Sequence, residues 1–358
     1  MSLSYLEVNQ FRNLHRVQLE PDAKLNIITG INASGKTSLL ESIFYLSYGR
    51  SFRTAYAQEM INHEHDHFRL LAKLNTDRPH QIGIQRFRKE QHIRIDQQDS
   101  HRISDLASLL PVIALHPDSH QLISAGPEHR RQFMDWGVFH VEHSFIQEWR
   151  NYRKALSQRN AALRHNEPDR SCRIWHHAMA EHAEVIHQLR HRYLDMLRES
   201  LAEYAIILFP DNSVTLDYKK GWSEQDSYFD HLESSLTRDK EKGYTLSGPH
   251  RGDIVIKVDQ QSAQTSISRG QQKKLVALLK LAQLDLFIKT SSKPCTLLYD
   301  DLPAELDTAN RKILMDSLAS MNVQLFVTTI ESNSLNTQAW SSGKMFHVEQ
   351  GVINQLNQ

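Results

Sequence analysis

The stretch Gly30-Ile31-Asn32-Ala33-Ser34-Gly35-Lys36-Thr37 constrains this chain more than any other, because it fits G-x-x-x-x-G-K-[ST]. Its surroundings fit as well. Leu25, Ile27 and Ile28 form a short apolar run that predicts a buried strand ending at Gly30. After Thr37, Leu39, Leu40, Ile43, Phe44 and Leu46 recur at helical spacing. A strand, a glycine-bounded loop and a helix start gather backbone N–H groups and the positive end of a helix dipole around one point, which suits a polyanion. Lys36 adds a mobile positive charge for β- and γ-phosphates, and the Thr37 hydroxyl is the right donor for Mg2+. Residues 30–37 are therefore the expected nucleotide site.

The 42 Lys and Arg residues balance 42 Asp and Glu, so any basic surface must be local. At 358 residues the chain is long enough for one large domain or two ordinary ones. Cys172 and Cys295 lie far apart, and Cys295 sits in an apparent buried strand, so no disulfide and a reducing, cytoplasmic setting are expected. Residues 1–7 lack the basic and apolar regions of a signal peptide. No apolar run approaches the length of a membrane span, so a soluble protein with no membrane partner is expected.

Tyr5, Leu6 and Val8 predict an opening strand, and Phe11-Arg12-Asn13-Leu14 a turn into a second one through Val17 and Leu19. Gly49-Arg50-Ser51-Phe52-Arg53 puts two arginines just past the phosphate-loop helix, where they serve as loop residues or reach phosphate. Alternating apolar residues from Phe68 to Asp96 read as antiparallel hairpins, with five basic residues between Arg78 and Arg94 against Glu90 alone. Pro111 to Leu115 reads as another buried strand, and Gly126-Pro127 as a boundary. Beyond it, narrow apolar stripes with mixed charge predict an antiparallel helical arm whose tip lies at Asn166-Glu167-Pro168-Asp169. His176, His177, His182, His187 and His191 lack carboxylate or cysteine partners at ligand spacing, so a solvated helix face is expected rather than zinc.

Thr296-Leu297-Leu298-Tyr299-Asp300-Asp301 is an apolar strand that delivers two carboxylates at its carboxyl end. In a phosphate-loop protein that is the place for a magnesium-holding acid. Asp300 is assigned to the metal, with Thr37, and Asp301 to orienting or deprotonating the attacking water. About 260 residues separate the two motifs, so a large insert is expected. Ser268, within Ser266-Ile267-Ser268-Arg269-Gly270-Gln271-Gln272, is placed to cap an amphipathic helix carrying Leu275, Val276, Leu278, Leu279, Ala282 and Leu286. Gln271 falls three residues on, the capping-box spacing. The plain reading is a capped helix start. The sharper one is a second anion site that, in a dimer, each chain places on the nucleotide held by the other.

Ile267-Ser268-Arg269-Gly270-Gln271 resembles the L-S-G-G-Q signature of ABC-type ATPases, and Ala304-Glu305-Leu306-Asp307 follows Asp300-Asp301 as their D-loop follows the second acidic strand. More narrowly, Phe11-Arg12-Asn13, Gly49-Arg50-Ser51-Phe52-Arg53, Gly248-Pro249-His250-Arg251, Ser268-Arg269-Gly270-Gln271-Gln272 and Asp300-Asp301-Leu302-Pro303-Ala304-Glu305-Leu306-Asp307 look like the RecF family of recombination-repair proteins. The resemblance spans nearly the whole chain. It implies an α/β ABC-type head, with a mixed sheet and an antiparallel β subdomain, assembled from 1–125 and 242–358. It implies an inserted helical arm over 126–241. It also implies ATP and Mg2+ as cofactors, ATP-driven homodimerisation that clamps DNA at gaps and single-strand junctions, and slow hydrolysis that resets the clamp. Work with RecO and RecR in loading RecA, and a part in SOS induction, follow from the same resemblance.

In that frame Lys36, Asp301 and Ser268 are the catalytic residues, and 30–37 with Ser268, Arg269, Gly270 and Gln271 bind nucleotide. The pattern departs from ABC ATPases in three places: Asp301 stands where many carry Glu, Thr329 where they carry the switch histidine, and Arg269 where the signature has glycine. Gln121 is a candidate for the Q-loop glutamine. Two alternatives compete, the nucleotide-binding subunit of a membrane transporter and a P-loop kinase with a small-molecule acceptor. The helical arm, the Phe11-Arg12-Asn13 opening and the long separation of the two motifs argue against the first, and the second does not explain the Ser268 segment.

Overall fold

The computed structural model describes residues 2–76, 78–331 and 334–356. The chain forms two compact units, Met1–Ser119 with Ser292–Gln358, and His120–Ser291.

The first unit holds two six-stranded sheets. One runs in the order Val352–Leu356, Lys344–Glu349, Leu25–Thr29, Val323–Thr329, Cys295–Tyr299, Val112–Leu115, and all its neighbours are parallel except the edge pair formed with Val352–Leu356. Every residue of Leu25–Thr29, Cys295–Tyr299 and Val323–Thr329 is buried. That is why these strands read as unbroken apolar runs rather than alternating ones. The second sheet, in the order Leu14–Leu19, Ser2–Phe11, His67–Asn75, His80–Phe87, Gln91–Ile95, Gln98–Ser100, is antiparallel throughout. Here Leu70, Ala72, Leu74, Ile82 and Ile84 turn inward at period two, as their alternation requires.

The helix Lys36–Tyr48 is packed into the core shared by the two sheets, and every residue from 38 to 47 is buried. Leu39, Leu40, Ile43 and Leu46 are at most 1 % exposed, and burying each stabilises the fold by about 1.5–3 kcal/mol. The phosphate loop therefore opens onto a helix that has no freedom to shift.

The second unit is mainly helical. Phe145–Arg164 and His176–Leu208 pack side by side, joined through a turn at 165–168 and the short helix Asp169–Arg173. The small antiparallel sheet Gln261–Ser262, Asp253–Val258, Val214–Lys219 belongs to the same unit. So does the helix Arg269–Ser291, which packs on His176–Leu208 and is fixed there by Ser200 Oγ, donating to the Ala282 carbonyl at 3.0 Å. Two buried arginines tie the helices to the segments on either side of them in sequence. Arg159 donates to Asp239 at 2.8 Å and to Thr245 Oγ1 at 2.7 Å, and Arg190 grips both oxygens of Asp135 at 2.9 Å.

The expected solvated histidine face is only partly so. His177 and His191 are exposed, but His176 is fully buried, receiving a hydrogen bond from Arg159 Nε at 3.1 Å and lying 2.7 Å from Glu233 through Nδ1. Burial pushes its pKa down against the pull of Glu233. His187 stacks on Tyr218, and His182 pairs with Glu148 at 2.7 Å. The helix packs against Tyr228–Ser234, which seals His176 beside Glu233 while His177 and His191 face water. Both cysteines are buried and neither forms a disulfide, and no described helix is long and apolar enough to cross a membrane.

Candidate nucleotide site

In the parallel sheet, Leu25–Thr29 and Cys295–Tyr299 are both neighbours of Val323–Thr329, in registers that pair Thr29 with Thr329 and Tyr299 with Val327. Their carboxyl ends therefore emerge side by side, which is where ligands sit in sheets of this kind. The loop 30–37 leaves one end and Asp300-Asp301 leaves the other. Gly30 has φ +149°, and a Cβ there would fall 2.4 Å from the Val348 carbonyl oxygen, so only glycine fits. Ala33 adopts φ +63°, a left-handed step that turns loop N–H groups inward.

The sequence motifs separated by most of the chain meet in one cavity of 520 Å³, lined by Arg12, Asn13, Asn32, Ala33, Gly35, Lys36, Thr37, Ser38, Arg53, Pro117, Asp300 and Asp301. Thr37 Oγ1 donates to Asp300 Oδ2 at 2.8 Å. Lys36 Nζ folds back onto the Gly30 and Ile31 carbonyls at 2.7 and 2.9 Å, holding the loop in a ring around its ammonium. Burial lowers the Lys36 pKa, and the Asp301 and Asp300 carboxylates pull it back up. Burial likewise raises the Asp300 carboxyl, against hydrogen bonds from Thr328 and Thr37 that favour the anion.

A hydroxyl and a carboxylate already within hydrogen-bond reach are hard oxygen donors of the kind Mg2+ takes. Asp301 stands at φ +53°, a left-handed conformation stabilised by its N–H donating to Thr328 Oγ1 at 2.7 Å. The Thr328 hydroxyl in turn donates to Asp300 Oδ1, also at 2.7 Å. One threonine thus fixes the Asp300 carboxylate and the Asp301 backbone. Thr328 is one of three polar residues, with Gln324 and Thr329, in a wholly buried strand, and that pattern is its only signal in the sequence. Thr329, at the switch-histidine position, is buried and bonded to the Glu331 carbonyl at 3.0 Å and to Ser334 Oγ at 2.8 Å.

Two further groups were not assigned roles from sequence. Asn13 accepts from Ser38 Oγ at 2.8 Å and donates to the Ala33 carbonyl at 3.2 Å, clamping the phosphate loop from the Phe11-Arg12-Asn13 turn. Glu41, on the buried face of the loop helix, accepts from Arg12 Nε and Nη2, receives the Ser51 hydroxyl, and lies 3.7 Å from Arg53. Of the two loop arginines, Arg53 lines the cavity while the Arg50 guanidinium lies over the Tyr48 ring at 6.0 Å.

Ser268, Arg269, Gly270 and Gln271 belong to the second unit and are all exposed. The capping box is formed: Gln271 N–H donates to Ser268 Oγ at 3.3 Å, and Ser268 N–H to Gln271 Oε1 at 2.9 Å. Gln121, the Q-loop candidate, opens the short helix Gln121–Ser124 of the same unit.

The RecF/RecN/SMC N terminal domain family matches residues 2–354. The DNA replication and repair protein RecF of Shewanella sp. (strain MR-7) is 40 % identical over 99 % of both chains, and that of Thioalkalivibrio sulfidiphilus 38 % identical over 99 % of both. Among solved structures, the recombination mediator protein RecF with ATP, from the RecFOR pathway, superposes with TM-score 0.89 at 24 % identity, covering 99 % of this chain and 98 % of that one. An Smc head bound to the C-winged helix domain of ScpA gives TM-score 0.61 at 15 % identity, covering 99 % and 97 %. The fold is thus that of ABC-type ATPase heads, and the chain belongs to the RecF family of DNA replication and repair proteins.

Proposed function

We propose that this chain is an ATP-dependent DNA-binding protein of recombinational repair and replication restart, which pairs with a second copy of itself around two nucleotides. The observation that carries the reading is the Thr37–Asp300 contact at 2.8 Å beside Lys36, two motifs 263 residues apart brought to one cavity of 520 Å³. In this reading 30–37 cradle the triphosphate, and Lys36 leaves its loop carbonyls for the β- and γ-phosphates. Thr37 and Asp300 would hold Mg2+, which when bound neutralises charge on phosphate oxygens. Asp301 orients the attacking water and takes its proton. Arg53, 44 % exposed at its side chain and only loosely paired, is free to move toward phosphate.

Ser268 to Gln271 of a second copy complete the pocket, the exposed helix start offering N–H groups and the Arg269 charge. Functionally, 1–125 with 242–358 form the ATPase head and 126–241 the arm. Slow hydrolysis resets a dimer closed on DNA at gaps and single-strand junctions, and RecO, RecR and RecA loading, with SOS induction, follow from kinship. The relatives favour this over a transporter subunit.

Lys36→Ala is expected to abolish ATP binding and dimerisation. Ser268→Arg is expected to leave ATP binding by the single chain intact and to block ATP-induced pairing in sedimentation velocity. Pairing by Ser268→Arg at parental strength would sink the shared-pocket mechanism.

A further inference from the structure

The segment Gly248-Pro249-His250-Arg251 has no place in the nucleotide site, yet it is among the most tightly built turns of the second unit. Gly248 has φ +129°, and a Cβ there would fall 2.2 Å from Tyr228 Oη and 2.3 Å from Tyr152 Oη. Tyr152 Oη lies 2.7 Å from His250 Nδ1, Tyr228 donates to the Ser247 carbonyl at 2.7 Å, and Arg190 donates to the Pro249 carbonyl at 2.7 Å. The turn is therefore rigid.

Three arginines converge on it. Arg251 belongs to the turn, Arg131 donates to the Gly252 carbonyl at 3.0 Å, and Arg153 follows directly on Tyr152. All three act on His250, whose pKa burial and these charges push down to about 4. Among the described residues none of the three has a carboxylate within ion-pair distance. Three acids act on Arg131 from beyond ion-pair distance: Asp253, held by Arg130 at 2.8 and 3.0 Å, Asp135, held by Arg190, and Glu128, which accepts from Gln132 at 3.2 Å. Arg153 and Arg251 are exposed, and the Arg251 guanidinium lies 5.7 Å over the ring of Tyr244, itself 41 % exposed.

In a chain whose basic and acidic residues cancel overall, this is a local excess of positive charge on a fixed scaffold with an aromatic face beside it. We propose that the 248–251 turn with Arg131, Arg153, Arg251 and Tyr244 is a DNA-backbone site, the arginines taking phosphates of one strand and Tyr244 stacking an unpaired base. The site rests on the DNA-binding reading above. Backbone phosphate contacts and aromatic stacking are the two ways a single strand is held without sequence readout. A rigid turn adds to both, because its cations need no ordering when the strand arrives.

The test compares the parent with Arg153→Gln/Arg251→Gln for binding to a fluorescent single-stranded oligonucleotide between about 50 and 200 mM salt. The double variant is expected to lose about tenfold or more in affinity and to flatten the log–log salt slope by roughly 0.7 per arginine, with ATP affinity and thermal midpoint unchanged. Tyr244→Ala is expected to weaken single-strand binding about tenfold while sparing duplex. Arg88→Gln/Lys89→Gln, removing equal charge from an exposed loop of the other unit, is expected to leave the slope unchanged. A parental slope in the arginine variant, or the same loss in the charge-matched control, overturns the site while leaving the DNA-binding reading standing. A parent that does not bind DNA overturns both.

Discussion

Glu41 shows how much one side chain decides here. Its fully buried carboxylate ties the Arg12 turn and, through Ser51 and Arg53, the 49–53 loop to the phosphate-loop helix. Removing the charge leaves the Arg12 guanidinium, only 15 % exposed, without its counter-ion. Glu41→Gln is expected to lower unfolding stability by about 3 kcal/mol, read as a shift in urea midpoint at constant slope. An unchanged midpoint would mean that the arginines find water instead. Asp301 separates chemistry from structure more cleanly. Asparagine tolerates the left-handed conformation at φ +53°, so Asp301→Asn is expected to fold with stability within about 0.5 kcal/mol of the parent. It cannot take a proton from water, so ATP turnover at saturation is expected to fall about a hundredfold with ATP affinity retained. Equal turnover would reassign the base.

At the level of elements, the helix Arg269–Ser291 begins with a reciprocal pair of hydrogen bonds that lies wholly on the surface. Gln271→Ala breaks one of the two and is expected to cost about 1 kcal/mol, a small drop in thermal midpoint without loss of the fold. This capping box was legible in the sequence because it depends on residues three apart, as did the strand, loop and helix around 30–37. The hairpins of 67–95 were legible because one face of each strand is core and the other water. Contacts that span the chain were not. Nothing near Thr328 announces that it bonds both Asp300 and Asp301, nor does the polar texture of 176–191 announce that His176 is sealed between Arg159 and Glu233. The grouping of Arg269–Ser291 with the arm helices has the same origin. It rests on polar bonds such as Gln283 Nε2 to the Phe133 carbonyl at 2.8 Å, between residues that no local pattern links.

The molecule as a whole should be sensitive to acid, and the sign follows from its buried histidines. His250 has its pKa pushed down to about 4, and burial lowers those of His176 and His187 as well. Unfolded, these histidines take up protons near pH 6.5, whereas folded they do so only at lower pH, about 4 for His250. Between those values the unfolded chain binds more protons, so stability rises with pH and is lost as pH falls from about 6.5 toward 4. Asp300, with its pKa raised above 3.8, works in the opposite sense, binding more protons folded than unfolded over its own window and so partly offsetting the histidines. His250 alone is expected to remove about 2 kcal/mol between pH 7.5 and pH 5. Urea midpoints measured at the two values should therefore separate in the parent and draw together in His250→Gln, which carries no titrating ring. Should both proteins show the same pH slope, the proton is taken up elsewhere, and the Tyr152–His250 bond is not what acid breaks first.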